Sequence, residues 1–190
     1  MKGRIMLYGA YGANLNKQSM ELRCPDAKPM ISFHLKGYRL VFNSVADIVK
    51  DPKGTVPIVL WKITKKCEKA LDRFEGYPFL YNKIRVQLDI PGIKGKKVMF
   101  YVMRRKGIAI PPSSYFKTIE EGYDDFGLDK TYLHSAKAKA SQYQELNLNL
   151  ARKITEEDDD DLELGVDWEY DWDGSHIPLT DKAKRRMNNG

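Results

Sequence analysis

Residues Val59 to Tyr81 read VLWKITKKCEKALDRFEGYPFLY. They hold the end of one element, the whole of a second and the start of a third. The apolar run that begins at Thr55 (TVPIVLWKI, 55–63) is rich in β-branched residues and reads as a buried strand. Thr64 can then cap a helix, with Cys67 to Glu75 inside it. Leu71 and Phe74, one turn apart, mark its inner face. Gly76 and Pro78 end it. Strand and helix thus share one short segment, and an α+β domain is the expectation.

The same reading extends in both directions. RIMLY (4–8) is a short buried strand feeding a glycine-rich loop, LYGAYGANLN (7–16). A helix is predicted from Lys17 to Arg23, stopped by Cys24-Pro25. KGYRLVFNS (36–44) alternates like a strand, and DPKG (51–54) reads as a turn. YNKIRVQLDI (81–90) and KKVMFYVMR (96–104) form a hairpin across PGIKG. Helices are expected over 111–127 and 129–141. There are no internal repeats. The composition changes after Asn147, so residues 1–150 are expected to form one domain and 151–190 an acidic, aromatic C-terminal extension. That extension is read either as disordered, from its acidity, or as docked through Trp168, Tyr170 and Trp172.

With 190 residues, the chain suits one core plus a tail. It is 42% apolar and 31% charged, the balance of a soluble globular protein. No apolar run approaches the roughly 20 residues that a membrane helix needs, and the first residues lack the pattern of a signal peptide. Cys24 and Cys67 form no metal or disulfide pattern. Reduced thiols in a cytoplasmic protein are the expectation. Residues 155–175 hold 11 acidic residues and no Lys or Arg, which leaves +17 on the remainder of a chain whose net charge is +6. A body that basic can meet an anionic partner such as nucleic acid. The lysines are spread along the chain without an arginine-aromatic stripe, so a solvated surface is the preferred reading.

Four stretches carry the chemistry: YGAYGANL (8–15), LRCPDA (22–27), the 59–81 segment, and PPSSYFKTIEEGYDDFGL (111–128). In this order they resemble the γ-glutamylcyclotransferase-like superfamily, over residues 5–140. The resemblance implies a small mixed β-barrel or strongly curved sheet with flanking helices. It also implies a pocket at one end, and release of 5-oxoproline and a free amine or amino acid from a γ-glutamyl substrate. Glu75 stands where the family has its catalytic glutamate. Tyr11, Gly12, Ala13, Asn14 and Leu15 match the loop that holds the substrate's α-carboxylate and amino end. Consecutive N–H groups in such a turn make an anion nest, and glycine lets the backbone approach. Tyr8, Tyr81 and Tyr115 complete the expected pocket. A carboxylate that both takes and returns a proton works best with a raised pKa, and Phe74, Tyr77 and Phe79 are the expected apolar surroundings of Glu75.

Two positions depart from the family pattern. Ala13 replaces a serine, and Phe116 replaces a tyrosine, with Tyr115 beside it. These departures support the alternative of a catalytically altered binding module for another small anionic ligand or nucleic acid. His34, His134 and His176 are scattered, and Asp158–Asp161 lacks the spaced ligands of a calcium loop. No P-loop or dinucleotide motif occurs. The chain is therefore read as needing no metal and no cofactor, with no membrane association, as a monomer or homodimer.

Overall fold

A computed structural model describes residues 5–90 and 92–157. The acidic run Asp158–Asp161, the aromatic residues Trp168, Tyr170 and Trp172, and His176 lie outside the described residues. The chain divides into two units, residues 1–147 and 148–190. The second is described only for the last turns of one helix. The fold below is that of the first unit.

Five strands form one mixed sheet: β1 (Met6–Ala10), β2 (Lys28–Asn43), β3 (Val45–Ile63), β4 (Tyr81–Leu88) and β5 (Lys96–Met103). Their spatial order is β2-β3-β1-β5-β4. Strand β1 is central, antiparallel to β3 and parallel to β5. The sheet is curved and unclosed, with β2 and β4 at its edges. Helices α1 (Lys17–Arg23), α2 (Lys65–Phe74), α3 (Ser113–Asp125) and α4 (Thr131–Glu157) flank it.

The DPKG stretch is not a turn. Residues 51–54 lie inside β3, opposite a register shift between Lys36 and Tyr38 of β2. Tyr38 pairs with Lys50 and Lys36 with Thr55, so four residues of β3 face one of β2. Such a bulge is a place where a sheet tolerates proline and glycine. The turn chemistry is still expressed locally, because the Lys53 N–H donates to Asp51 Oδ1 at 3.0 Å. The true β2–β3 reversal is at Ser44, which has a φ of 60°. It is propped by Ser44 N–H donating to the Ala109 carbonyl at 3.2 Å.

Helix starts and stops follow side-chain chemistry. Asn16 caps α1 by accepting from the Ser19 N–H at 2.8 Å. Thr64 caps α2 by accepting from the Cys67 N–H at 3.2 Å. Leu71 of α2 is fully buried, but Phe74 is 45% exposed and lies off the inner face. Helix α4 runs well past the predicted end at residue 141. The core between sheet and helices includes Leu15, Ile58, Leu60, Phe100, Ile119 and Tyr123, all fully buried. Among the described residues, no helix is long and apolar enough to cross a membrane.

Candidate active site

A small cleft opens where the end of β1 meets the C-terminus of α2, with about 290 Å³ of open space. A larger groove along Met6, Leu7, Arg85 and Lys97 contains none of the predicted site residues.

Glu75 is the residue immediately after α2. The helix closes with a Schellman arrangement: Gly76 N–H donates to Arg73 O at 3.3 Å and Tyr77 N–H to Asp72 O at 2.9 Å. Gly76 takes a φ of 61°, which a side chain would strain. This closure fixes the backbone from which Glu75 reaches into the cleft. Burial pushes the Glu75 carboxyl up to about 7, against opposing effects from the Arg23 charge and an Asn14 hydrogen bond. The group therefore changes protonation near neutral pH.

Asn14, 2% exposed, lies in a single 3₁₀ turn over Ala13–Leu15. Its amide nitrogen donates to Glu75 Oε1 at 2.8 Å and to Tyr8 Oη at 3.0 Å. Its oxygen accepts from Arg23 Nη1 at 2.9 Å. The Arg23 guanidinium lies over the Phe74 ring, 3.6 Å from the centroid.

Of the five phenols around the cleft, four have distinct duties there. Tyr11 donates to the Tyr101 carbonyl at 2.6 Å, and Tyr81 donates to the Ala46 carbonyl at 2.6 Å. Both protons are thus engaged with backbone. Tyr8 accepts from Asn14, and Tyr115 accepts from the Ala46 N–H at 3.1 Å. Among the described contacts neither donates its own proton, so both retain a donor for a ligand. Burial raises the Tyr8 hydroxyl well above its ordinary value and pushes Tyr115 up to about 12. Both are neutral donors at neutral pH. Ala46 is itself held by its neighbour: Asp47 accepts from the Met103 N–H at 2.9 Å and from Lys106 at 2.7 Å.

The family model described as "Gamma-glutamyl cyclotransferase, AIG2-like" matches residues 8–122. The chain belongs to this family. The matched span contains every residue that lines the cleft, from Tyr8 to Tyr115. The chain is 28% identical over 152 residues to the gamma-glutamylcyclotransferase of Mus musculus, covering 72% of this chain and 80% of that one. It is 30% identical over 145 residues to that of Homo sapiens, covering 70% and 77%. A solved structure titled gamma-glutamyl cyclotransferase superposes with a TM-score of 0.63 at 28% identity, covering 71% of this chain and 88% of that one.

Set on the gamma-glutamyl cyclotransferase fold, the predicted residues separate into two groups. The structure brings Glu75, Tyr8, Tyr11, Gly12, Ala13, Asn14, Tyr81 and Tyr115 to the cleft wall. Leu15 is not there: it is fully buried in the core, and its N–H closes the turn onto Gly12 O at 2.9 Å. Phe116 also points away, packing with Phe42 and His134, while its neighbour Tyr115 lines the cleft.

The expected surroundings of Glu75 need correction. Phe79 is 85% exposed, and Tyr77 lies under Lys83 rather than in the cleft. The desolvating wall is built from Tyr8, Tyr81, Tyr101 and Tyr115, together with Phe74. Sequence reasoning missed Arg23, Tyr101 and Ala46. Arg23 lay in the quoted LRCPDA stretch, but nothing there showed that it would turn back to Asn14. Tyr101 sits in an apolar strand and Ala46 acts through its backbone, so neither carries a sequence signal.

Proposed function

We propose that this protein cyclises a γ-glutamyl substrate, releasing 5-oxoproline and a free amine, with Glu75 as base and then acid. The observation that carries the reading is the Glu75 carboxyl, raised to about 7 and facing a cleft walled by phenols and by the loop after β1. The substrate's α-ammonium gives a proton to the Glu75 carboxylate. The freed α-amine attacks the γ-carbonyl carbon, and a new C–N bond closes a five-membered lactam. The ring nitrogen, positively charged after attack, gives up its second proton. The original γ-amide C–N bond breaks as Glu75 returns the first proton to the leaving nitrogen. The released amine takes up the second and leaves as an ammonium. No net proton is gained or lost. Nucleophile and electrophile belong to one molecule, so the cleft need only fold the substrate and relay protons from the α-nitrogen to the leaving nitrogen.

Tyr8 and Tyr115 retain free donors and are assigned to the substrate's oxygens. Gly12, Ala13 and Asn14 line the same wall; the Ala13 backbone is engaged with the Tyr115 hydroxyl, and the backbone of Gly12 and Asn14 is assigned to the substrate's α-carboxylate end. Tyr11 and Tyr81 shape the wall, since their protons are engaged elsewhere.

The test is mass-spectrometric detection of 5-oxoproline from a panel of γ-glutamyl amines and amino acids, with wild type beside Glu75→Gln. Release by wild type and loss of at least 100-fold in the variant is the expected result, given that general acid–base catalysis contributes about 10²–10⁴-fold. Undiminished release by Glu75→Gln overturns the assignment of Glu75. No release by wild type from any compound favours a binding module on this fold.

A further inference from the structure

Asn14 stands between a carboxylate and a guanidinium, and its amide has two unlike ends. The nitrogen donates to Glu75 and the oxygen accepts from Arg23. Rotating the amide by half a turn would exchange them. A guanidinium carries only donors, so it accepts no partner but an oxygen. We propose that Arg23 is a positioning residue of the active site: it holds the Asn14 amide with its NH₂ toward Glu75, and so keeps Glu75 in the proton-accepting form. This inference rests on the reading of Glu75 as the base.

The geometry gives Arg23 a fixed seat. It is the last residue of α1, and its guanidinium lies over Phe74, the neighbour of Glu75 in sequence. The stack and the hydrogen bond to Asn14 restrain the guanidinium from two sides. The amide then meets Glu75 only as a donor, which favours the carboxylate. With the amide reversed, its oxygen would face Glu75 and accept from the protonated acid. Removing Arg23 releases this lock and removes a positive charge at the same time.

The other groups facing Glu75 do not supply a charge. They are Tyr8 from β1, Tyr11 from the loop after it, Tyr81 from β4, Tyr101 from β5 and Tyr115 from α3. Burial raises every one of these phenols, so they are neutral across the range in which Glu75 titrates. Asp47 of β3 interacts with Tyr11 and Tyr81 and is ion-paired to Lys106. Among the described residues, Arg23 is the charged group that acts on Glu75.

The experiment compares wild type, Arg23→Met and Arg23→Lys in two ways. The first is the pH profile of kcat/KM for 5-oxoproline release between pH 5.5 and 8.5. The acidic limb is expected to move up by about one pH unit in Arg23→Met, a roughly tenfold loss at pH 6 that shrinks toward pH 8.5. Arg23→Lys, which keeps a charge and a donor, should recover most of the shift. The second is a ¹³C titration of the glutamate carboxyls, with Glu75 assigned by its absence in Glu75→Gln. The Glu75 midpoint should rise in Arg23→Met and return in Arg23→Lys. A loss equal at every pH, or an unmoved Glu75 midpoint, overturns the inference. If wild type releases no 5-oxoproline, the functional reading fails, while the titration still decides whether Arg23 controls Glu75.

Discussion

The Tyr101 hydroxyl donates to Asp72 Oδ1 at 2.6 Å, joining the floor of the cleft to the helix that carries Glu75. Asp72 also takes an ion pair from Lys83 at 2.6 Å, and Lys83 reaches on to Glu68 at 2.8 Å. These contacts tie β4 and β5 to two successive turns of α2. The helix end that presents Glu75 is therefore braced by side chains that never touch the cleft's contents, apart from the Tyr101 ring.

Removing that brace should cost stability more than chemistry. Tyr101→Phe keeps the ring and leaves Asp72 to Lys83. A loss of about 1.5–3 kcal/mol is expected from one hydrogen bond to a charged acceptor. Urea unfolding reads it directly, and an unchanged midpoint would show that the bond contributes nothing net.

Glu75 should also mark the pH dependence of folding. Its folded value of about 7 lies above the ordinary 4.5, so between these values the native state binds more protons than the unfolded chain. Stability then falls as pH rises through this window. At about 1.4 kcal/mol per pH unit, the ionised carboxylate costs on the order of 3 kcal/mol above pH 7. Glu75→Gln should therefore raise the Tm at pH 8 relative to wild type, with the gain vanishing by pH 4.5. A gain that does not depend on pH would contradict this account.

Tyr81 and Tyr115 should separate in assays. Tyr81→Phe leaves the buried Ala46 carbonyl without its hydroxyl partner, and about 1 kcal/mol of stability should go with it. Tyr115→Phe removes a donor assigned to substrate, so kcat/KM should fall by about tenfold or more, the scale of one hydrogen bond near 1.4 kcal/mol. Paired thermal melts and 5-oxoproline assays read both. Equal effects on activity would erase the distinction.

Gly122 of α3 allows the close approach of the loop that carries Asn14. A Cβ there would lie 2.6 Å from the Asn16 nitrogen and 2.6 Å from Leu15 Cβ. Backbone cannot move aside as a flexible side chain can. Gly122→Ala should cost about 1–3 kcal/mol by overpacking, and it should raise KM because Asn14 precedes the displaced residues. Chemical denaturation beside steady-state kinetics checks both, and a neutral variant would mean that helix and loop part easily.

Much of the fold was legible where side-chain chemistry acts locally. Thr64 capped α2, Cys24-Pro25 stopped α1 and the β4–β5 hairpin formed across its glycines, because each depends on residues a few positions apart. Asp51 to Gly54 misled for the same reason: its turn chemistry is real, but pairing with β2 absorbed it as a bulge. Glu75 and the loop were visible through the order of motifs. The geometry around them was not. That Tyr101 meets Asp72, and that Arg23 reverses onto Asn14, depend on strands and helices brought together from far along the chain.

The cleft draws on β1, the loop after it, β3, α2, β4, β5 and α3, from Tyr8 to Tyr115. Its central strand β1 pairs with β3 and β5, both distant in sequence. Topologies with such non-local pairing fold slowly, because long loops must close before the contacts reward them. The cleft wall is therefore incomplete until α3, which supplies Tyr115, has docked. A nascent or truncated chain that ends before residue 113 has neither Tyr115 nor Gly122. The cleft wall is thus complete only in a chain that extends through nearly the whole of the family-matched span.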